Sequence, residues 1–259
     1  MKSIFSIFAA KACFSLCGLG GLLSAAEVNY SLWPKRPEQL VHARELVKQN
    51  RLQEATALLQ EYLHDKRIAG KEARYIVSQI NIREYLSRDN PAVVPYTVRG
   101  GDSYFKIAQK TKTSIDMLLY LNGTIDLNKL QAGQKLLLRP MQLTMEINLP
   151  MKEILVWDGG KLVSSYPLLA VRDGGTGNVE TSVLSKSASL DGASVSHQSQ
   201  TYAAANKTLN LKAGTLIVGN TRDSRPDEKG YFLSVEDCNE LGLLMAPGNT
   251  VSIIRSVER

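Results

Sequence analysis

Cysteine and histidine are both scarce in this chain, with three of each among 259 residues. Three cysteines exclude a disulfide-rich scaffold and a four-cysteine zinc site. Three scattered histidines (His42, His64 and His197) leave little material for a His-based metal centre, and neither a metal nor an organic cofactor is expected. A long apolar run is missing too. The best one, Ala12–Leu23, is about 12 residues, too short to cross a ~30 Å hydrocarbon core as a helix. The excess of Lys and Arg (31) over Asp and Glu (25) is modest and dispersed, so nucleic acid is not an expected partner. What is present is ordinary: 44% hydrophobic and 22% charged residues exclude wholesale disorder. The length allows one to three compact units.

The first residues follow a targeting pattern. Lys2 and Lys11 precede the apolar run, which ends in Ser24-Ala25-Ala26. A positive start, a short apolar stretch and small residues at its end read as a secretory signal peptide over 1–26. Its removal would take Cys13 and Cys17 and two lysines, leaving Cys238 alone and a formal charge of +4. One cysteine cannot form an internal disulfide. A lipid anchor needs a small residue directly before a cysteine, and Phe14-Ser15-Leu16-Cys17 puts a leucine there. The expectation is an exported protein of the periplasm or cell envelope, with no transmembrane helix.

Three stretches of different character follow. Residues 37–88 carry helical periodicity: Leu40, Ala43, Leu46 and Val47, then Leu52, Ala55, Leu58, Leu59 and Leu63, then Ile76, Ile80 and Leu86 within Ala73–Leu86. The segment Ala43–Ala55 resembles the turn between paired helices of a tetratricopeptide repeat. Only about one such unit is present, where arrays need three or more. Asp89-Asn90-Pro91 and Pro95 punctuate a linker. Tyr96–Pro140 then form a compact βααβ pattern. From Gln142 to Arg255 the composition shifts to short alternating strands, with Asp158-Gly159-Gly160 as a hairpin turn. Gly174–Ala205 is either a long loop or weak edge strands. The fold class expected is α+β, multidomain: an N-terminal helical segment, a βααβ module, and a mainly-β domain over 142–259.

Within 96–140, Tyr96 and Val98 share a strand face and Gly100-Gly101 free the backbone for a sharp turn. Asp102 is placed to cap the next helix, with Phe105, Ile107 and Ala108 as its core. Thr113-Ser114-x-Asp116 offers a second cap, followed by inward Ile115, Leu118 and Leu119. The segment resembles a LysM domain through Tyr96-x-Val98, Gly101-Asp102-Ser103, Ile107-Ala108, Ser114, Leu118, Asn122 and Leu130-x-x-Gly133-Gln134-x-Leu136. That resemblance implies binding to N-acetylglucosamine-containing glycans, chiefly peptidoglycan and chitin. It places the groove between Gly101, Asp102, Ser103 and Tyr104 on one side and Asn122, Gly123, Thr124, Ile125 and Leu127 on the other. Tyr104 has two readings, sugar contact or local packing, and Asp102 and the glycines have structural ones. A single module should bind weakly, with retention arising from the many identical sites of the polymer.

Gln142–Arg255 resemble the catalytic domain of YkuD-type L,D-transpeptidases. The likeness lies in Ile147-Asn148-Leu149, Ile154–Trp157, Asp158–Val163, Tyr166-Pro167, Leu233-Ser234-x-Glu236-Asp237 and Gly248-Asn249-Thr250-Val251. The resemblance implies a cysteine thiolate oriented by histidine. Counting back from Ser234 puts Gly230 at the cysteine, Glu228 at the motif histidine and Phe232 at the arginine, with Val218 or Gly219 at the upstream histidine. Acyl transfer needs a nucleophile and a base within reach, and none of these positions supplies either. Two decoys remain. Cys238 sits inside a helix opened by Ser234 and Asp237 and reads as core. Ser196-His197-Gln198-Ser199 imitates the family motif at the wrong place and reads as a solvated loop. His42 and His64 read as surface positions.

The function expected is therefore non-enzymatic peptidoglycan binding, with the C-terminal domain a scaffold. The alternative is an active cell-wall enzyme that uses displaced residues. Partners expected are peptidoglycan or another N-acetylglucosamine glycan, and cell-wall enzymes docking on the helical segment.

Overall fold

The computed structural model describes residues 37–123, 129–199, 201–219 and 229–256. The expected signal peptide lies outside them. The chain forms two compact units that divide between Asn81 and Ile82.

The first unit is helical. Helix α1 (Glu38–Lys48) and α2 (Leu52–Leu59) continue through a short 3₁₀ turn, Gln60–Tyr62, toward α3 (Ile68–Leu86), within which the division falls. Leu40, Ala43, Leu46, Ala55, Leu59 and Leu63 are buried as their spacing predicts, and His42 and His64 are exposed. The third helix starts five residues before the expected Ala73, at Ile68. Gly70 lies inside it because a Cβ there would sit 2.0 Å from the Asp65 carbonyl oxygen. Buried Arg74 donates to the Leu63 and Asp65 carbonyls at 2.9 and 2.8 Å, holding the preceding turn.

The second unit opens with β1 (Val94–Thr97), α4 (Tyr104–Thr111), α5 (Ile115–Asn122) and β2 (Lys135–Leu138). β1 and β2 pair antiparallel, Tyr96 opposite Leu136. Ten further strands form one sheet: β3 (Leu143–Asn148), β4 (Glu153–Asp158), β5 (Lys161–Pro167), β6 (Ala170–Arg172), β7 (Val179–Leu190), β8 (Ala193–Ser194), β9 (Asn206–Leu211), β10 (Leu216–Gly219), β11 (Gly230–Leu233) and β12 (Thr250–Ile254). Their order is β5-β4-β3-β12-β7-β9-β10-β11-β6, with β8 paired to β7. Among the described strands of this sheet the pairs β3–β12 and β10–β11 are parallel. Helix α6 (Val235–Leu244) connects β11 to β12. The fold class is thus α+β, with helices first and a large β-sheet last.

Two features follow directly from local chemistry. The β4–β5 hairpin turns on Gly159 and Gly160 at φ +55° and +88°, the pair of positive angles a two-residue type I′ turn requires. Helix α6 starts at Ser234, whose hydroxyl accepts from the Asp237 amide at 3.0 Å.

One expectation holds only in part. The stretch 174–205 is not one long loop: it includes the two-residue β8, a weak edge strand paired to β7, but its main strand lies inside the sheet order. It contains β7, at 12 residues the longest of the described strands, whose first residues, Val179–Ser182, pair with β12 and whose following residues, Val183–Ser189, pair with β9. Its Ser, Thr and Lys residues suppress the apolar alternation that marks a strand. Backbone pairing to two successive partners along its length supplies what the side chains lack.

The small βααβ segment and the large sheet are fused through α5. One face of α5 carries Leu118 into a small core with Val98, Tyr104, Ile107, Leu136 and Leu138. The neighbouring stripe, Met117 and Leu121, joins the main core with Leu143, Met145, Ile147 and Leu244. A helix apolar on more than one side must be covered on more than one side.

Candidate functional site

The turn after β1 is held by bonds from its own side chains. Gly101 takes φ +83°, open to glycine and strained for other residues. Asp102 does not cap α4. Its carboxylate accepts from the Arg99 amide and from the Tyr96 hydroxyl, both at 2.8 Å, and so closes the turn on itself. Those two bonds, the Arg99 amide first, hold the Asp102 carboxyl below its ordinary range. The cap is Ser103, whose hydroxyl accepts from the Lys106 amide at 3.3 Å. The sequence offers both residues in a row, and a one-residue shift separates the two roles.

That shift also rotates α4. Tyr104, Ile107 and Ala108 form its inward face, whereas Phe105, expected in the core, is 52% exposed. The i, i+3, i+4 rule is obeyed with its phase set by Tyr104. Tyr104 is 1% exposed, within the small core.

Asn122 ends α5. Its side-chain amide donates to the Leu118 and Leu137 carbonyls at 2.8 Å each and accepts from the Leu137 amide at 2.7 Å. It therefore fastens helix to strand. Gly123 follows as the cap residue at φ +77°. Thr124, Ile125 and Leu127 lie outside the described residues.

The second α-helical cap behaves as its sequence suggests and does more. Ser114 Oγ accepts from the Met117 amide at 3.0 Å and donates to the Leu243 carbonyl at the end of α6. Lys186 Nζ, from β7, pairs with Asp116 and donates to the Gly242 carbonyl at 2.9 Å. The last carbonyls of a helix lack partners of their own and carry its negative end. Here a hydroxyl and an ammonium, brought by α5 and β7, supply them. Lys207 lies nearby, also buried, donating to the Tyr202 and Ala205 carbonyls with its ammonium 3.9 Å from the Tyr202 ring centroid. Burial lowers its pKa to about 8, and Asp116 opposes that shift while Lys186 adds to it.

Of the positions counted from the transpeptidase resemblance, Gly219 and Gly230 leave no room for a side chain. Gly230 is buried, and a Cβ there would lie 2.6 Å from the Leu216 carbonyl oxygen. At Gly219 a Cβ would meet the Val235 Cα at 3.0 Å. Phe232 is buried beneath the Arg172 guanidinium, 4.6 Å from its ring centroid. Val218 pairs with Phe232 inside the sheet. Glu228 lies outside the described residues. Cys238 is 1% exposed, and its thiol donates to the Lys207 carbonyl at 3.1 Å. Burial pushes that thiol up to about 12, so thiolate is not formed near neutral pH. His197 is half-buried against two aromatic rings, Phe105 at 5.9 Å and Tyr202 at 4.5 Å between centroids. The structure does not bring Cys238 and His197 together as a hydrogen-bonded pair.

Among the described residues no group of His, Cys, Asp and Glu is arranged to hold a metal ion, and no helix is long and apolar enough to cross a membrane. A comparison with curated proteins finds no match for this chain. A comparison with protein families does: residues 96–139, the segment holding the turn, both caps and the Asn122 fastening, match the LysM domain.

Proposed function

We propose that this is an exported envelope protein that binds peptidoglycan, or another N-acetylglucosamine glycan, through residues 96–139. The observation that carries it is the LysM match over a segment whose own hydrogen bonds build a rigid turn. The proposed groove runs between Gly101, Asp102 and Ser103 and the stretch Asn122, Gly123, Thr124, Ile125 and Leu127, with Tyr104 beneath it. Asp102 and Asn122 hold its shape, since both carboxylate and amide are bonded within the segment. Exposed peptide groups hold the acetamido group, and apolar edges meet the sugar face. The expected affinity of one such site is low, and repetition of the ligand along the polymer supplies retention.

In this reading the β domain is a scaffold and not a transpeptidase. Its support is steric. A nucleophile cannot be accommodated at Gly230 without displacing the Leu216 carbonyl, and Cys238 is a protonated core thiol. The test is co-sedimentation of the full chain, without residues 1–26, with purified sacculi. Retention that competes with soluble N-acetylglucosamine oligomers is expected. A chain that stays in the supernatant at all loadings would overturn the proposal, and release of new crosslinked muropeptides would overturn the scaffold reading alone.

A further inference from the structure

We propose that Phe105 and His197 together form a sugar-stacking wall that lengthens the glycan site beyond the Gly101–Ser103 turn. The β domain thereby contributes a residue to glycan recognition. The inference rests on the glycan-binding reading above.

Phe105 begins the argument. It stands two residues past the Ser103 cap, on the first turn of α4, and is 52% exposed. An open phenyl ring on so small a segment is unfavourable by the area it leaves in water. Its neighbour is His197, which arrives from the segment between β8 and the 3₁₀ turn Tyr202–Ala204. The two rings meet edge to face, 5.9 Å apart at 72°. Tyr202 is 2% exposed and lies 4.5 Å behind the imidazole at 30°. A buried ring fixes the imidazole, and the imidazole braces the phenyl, whose other half stays open.

The chemistry of such a wall suits a pyranose. One face of the sugar ring is a row of C–H groups that packs on an aromatic surface, and the rim is hydroxyl and acetamido. Burial lowers the His197 pKa, with Lys186 and Lys207 in the same direction and Asp116 against it. A neutral imidazole carries one donor and one acceptor, so it can serve the rim without introducing charge. Gln198 and Ser196, both exposed on either side of it, add polar groups. The Ser196-His197-Gln198-Ser199 motif thereby has a place that is not catalytic.

The test is calorimetric titration of the full chain with N-acetylglucosamine tetramer and hexamer. The variants are Phe105→Leu and His197→Gln, which keep volume or polarity and remove the ring, and Phe105→Trp, which keeps a ring. The proposal expects the first two to weaken the hexamer roughly three- to tenfold, as loss of one stacking contact implies. The tetramer should change by less than about twofold; Phe105→Trp should bind the hexamer as the native chain does. Equal loss for both lengths, or no loss for either, overturns the proposal. A lowered thermal midpoint with unchanged discrimination between lengths also overturns it, because the rings would then serve only packing. If the native chain binds neither oligomer, the glycan reading itself has failed and this inference falls with it.

Discussion

Two lysines are buried within the second unit, in different company. Lys186 faces Asp116, with side chains 4% and 2% exposed. Replacing Asp116 by alanine leaves an ammonium buried with only the Gly242 carbonyl. Breaking a buried pair in this way costs about 3–5 kcal/mol, so a large fall in the urea midpoint is expected. The double change Asp116→Leu with Lys186→Met should recover much of it. Equal midpoints for single and double variants would show that the pair is not the cause. Lys207 has carbonyls and a ring around it and no carboxylate among its hydrogen-bond partners. Its folded pKa, about 8, lies below the ~10.4 of an unfolded lysine. Between those values the unfolded chain binds more protons, so this residue makes stability rise with pH across that window. Urea midpoints of the native chain and Lys207→Met, compared at about pH 7 and about pH 9.5, should show the native chain gaining relative to the variant. A constant difference would contradict the assignment. None of these burials is legible in the sequence, where Lys186 and Lys207 look like solvated strand residues. Only the partner on another element makes a buried charge tolerable.

Among the elements, those with a strong local signal were readable in advance. The Asp158-Gly159-Gly160 turn, the Ser234 cap and the Ser114 cap need nothing beyond their neighbours in sequence. The phase of α4 was not readable, because Asp102 and Ser103 are both good caps and the choice depends on the Arg99 amide and Tyr96 hydroxyl claiming the carboxylate. β7 is hard to read from sequence because its partners come from both ends of the domain. The parallel pair β10–β11 adds a prediction. At Gly230 the chain passes so close to Leu216 that even one methyl is too large. Gly230→Ala should therefore destabilise the domain by about 1–3 kcal/mol, the usual range for an overpacked site, as measured by chemical denaturation. An unchanged midpoint would mean that the strands can separate there, and the steric objection to a cysteine at this position would lose its force.

At the scale of the whole second unit, the glycan-binding segment is not self-sufficient. Its α5 shares Met117 and Leu121 with the main core, and its caps and charges reach α6 and β7. Excised as residues 94–141, it would expose those apolar side chains and leave Asp116 without Lys186. It is expected to melt at a lower temperature than the full chain, with broadened amide resonances, as followed by circular dichroism and NMR. A sharp, native-like spectrum for the fragment would show that the shared core is dispensable. The functional consequence is that sugar affinity and β-domain integrity should rise and fall together, since the same helix serves both.

The seat of β12 has a temporal consequence. It lies between β3 and β7, and its residues 250–253 pair with both. Until translation has delivered those residues, β3 and β7 have no common neighbour and each presents a bare edge, open to pairing with another nascent chain. The β3–β12–β7 part of the sheet therefore cannot close while β12 is still inside the ribosome.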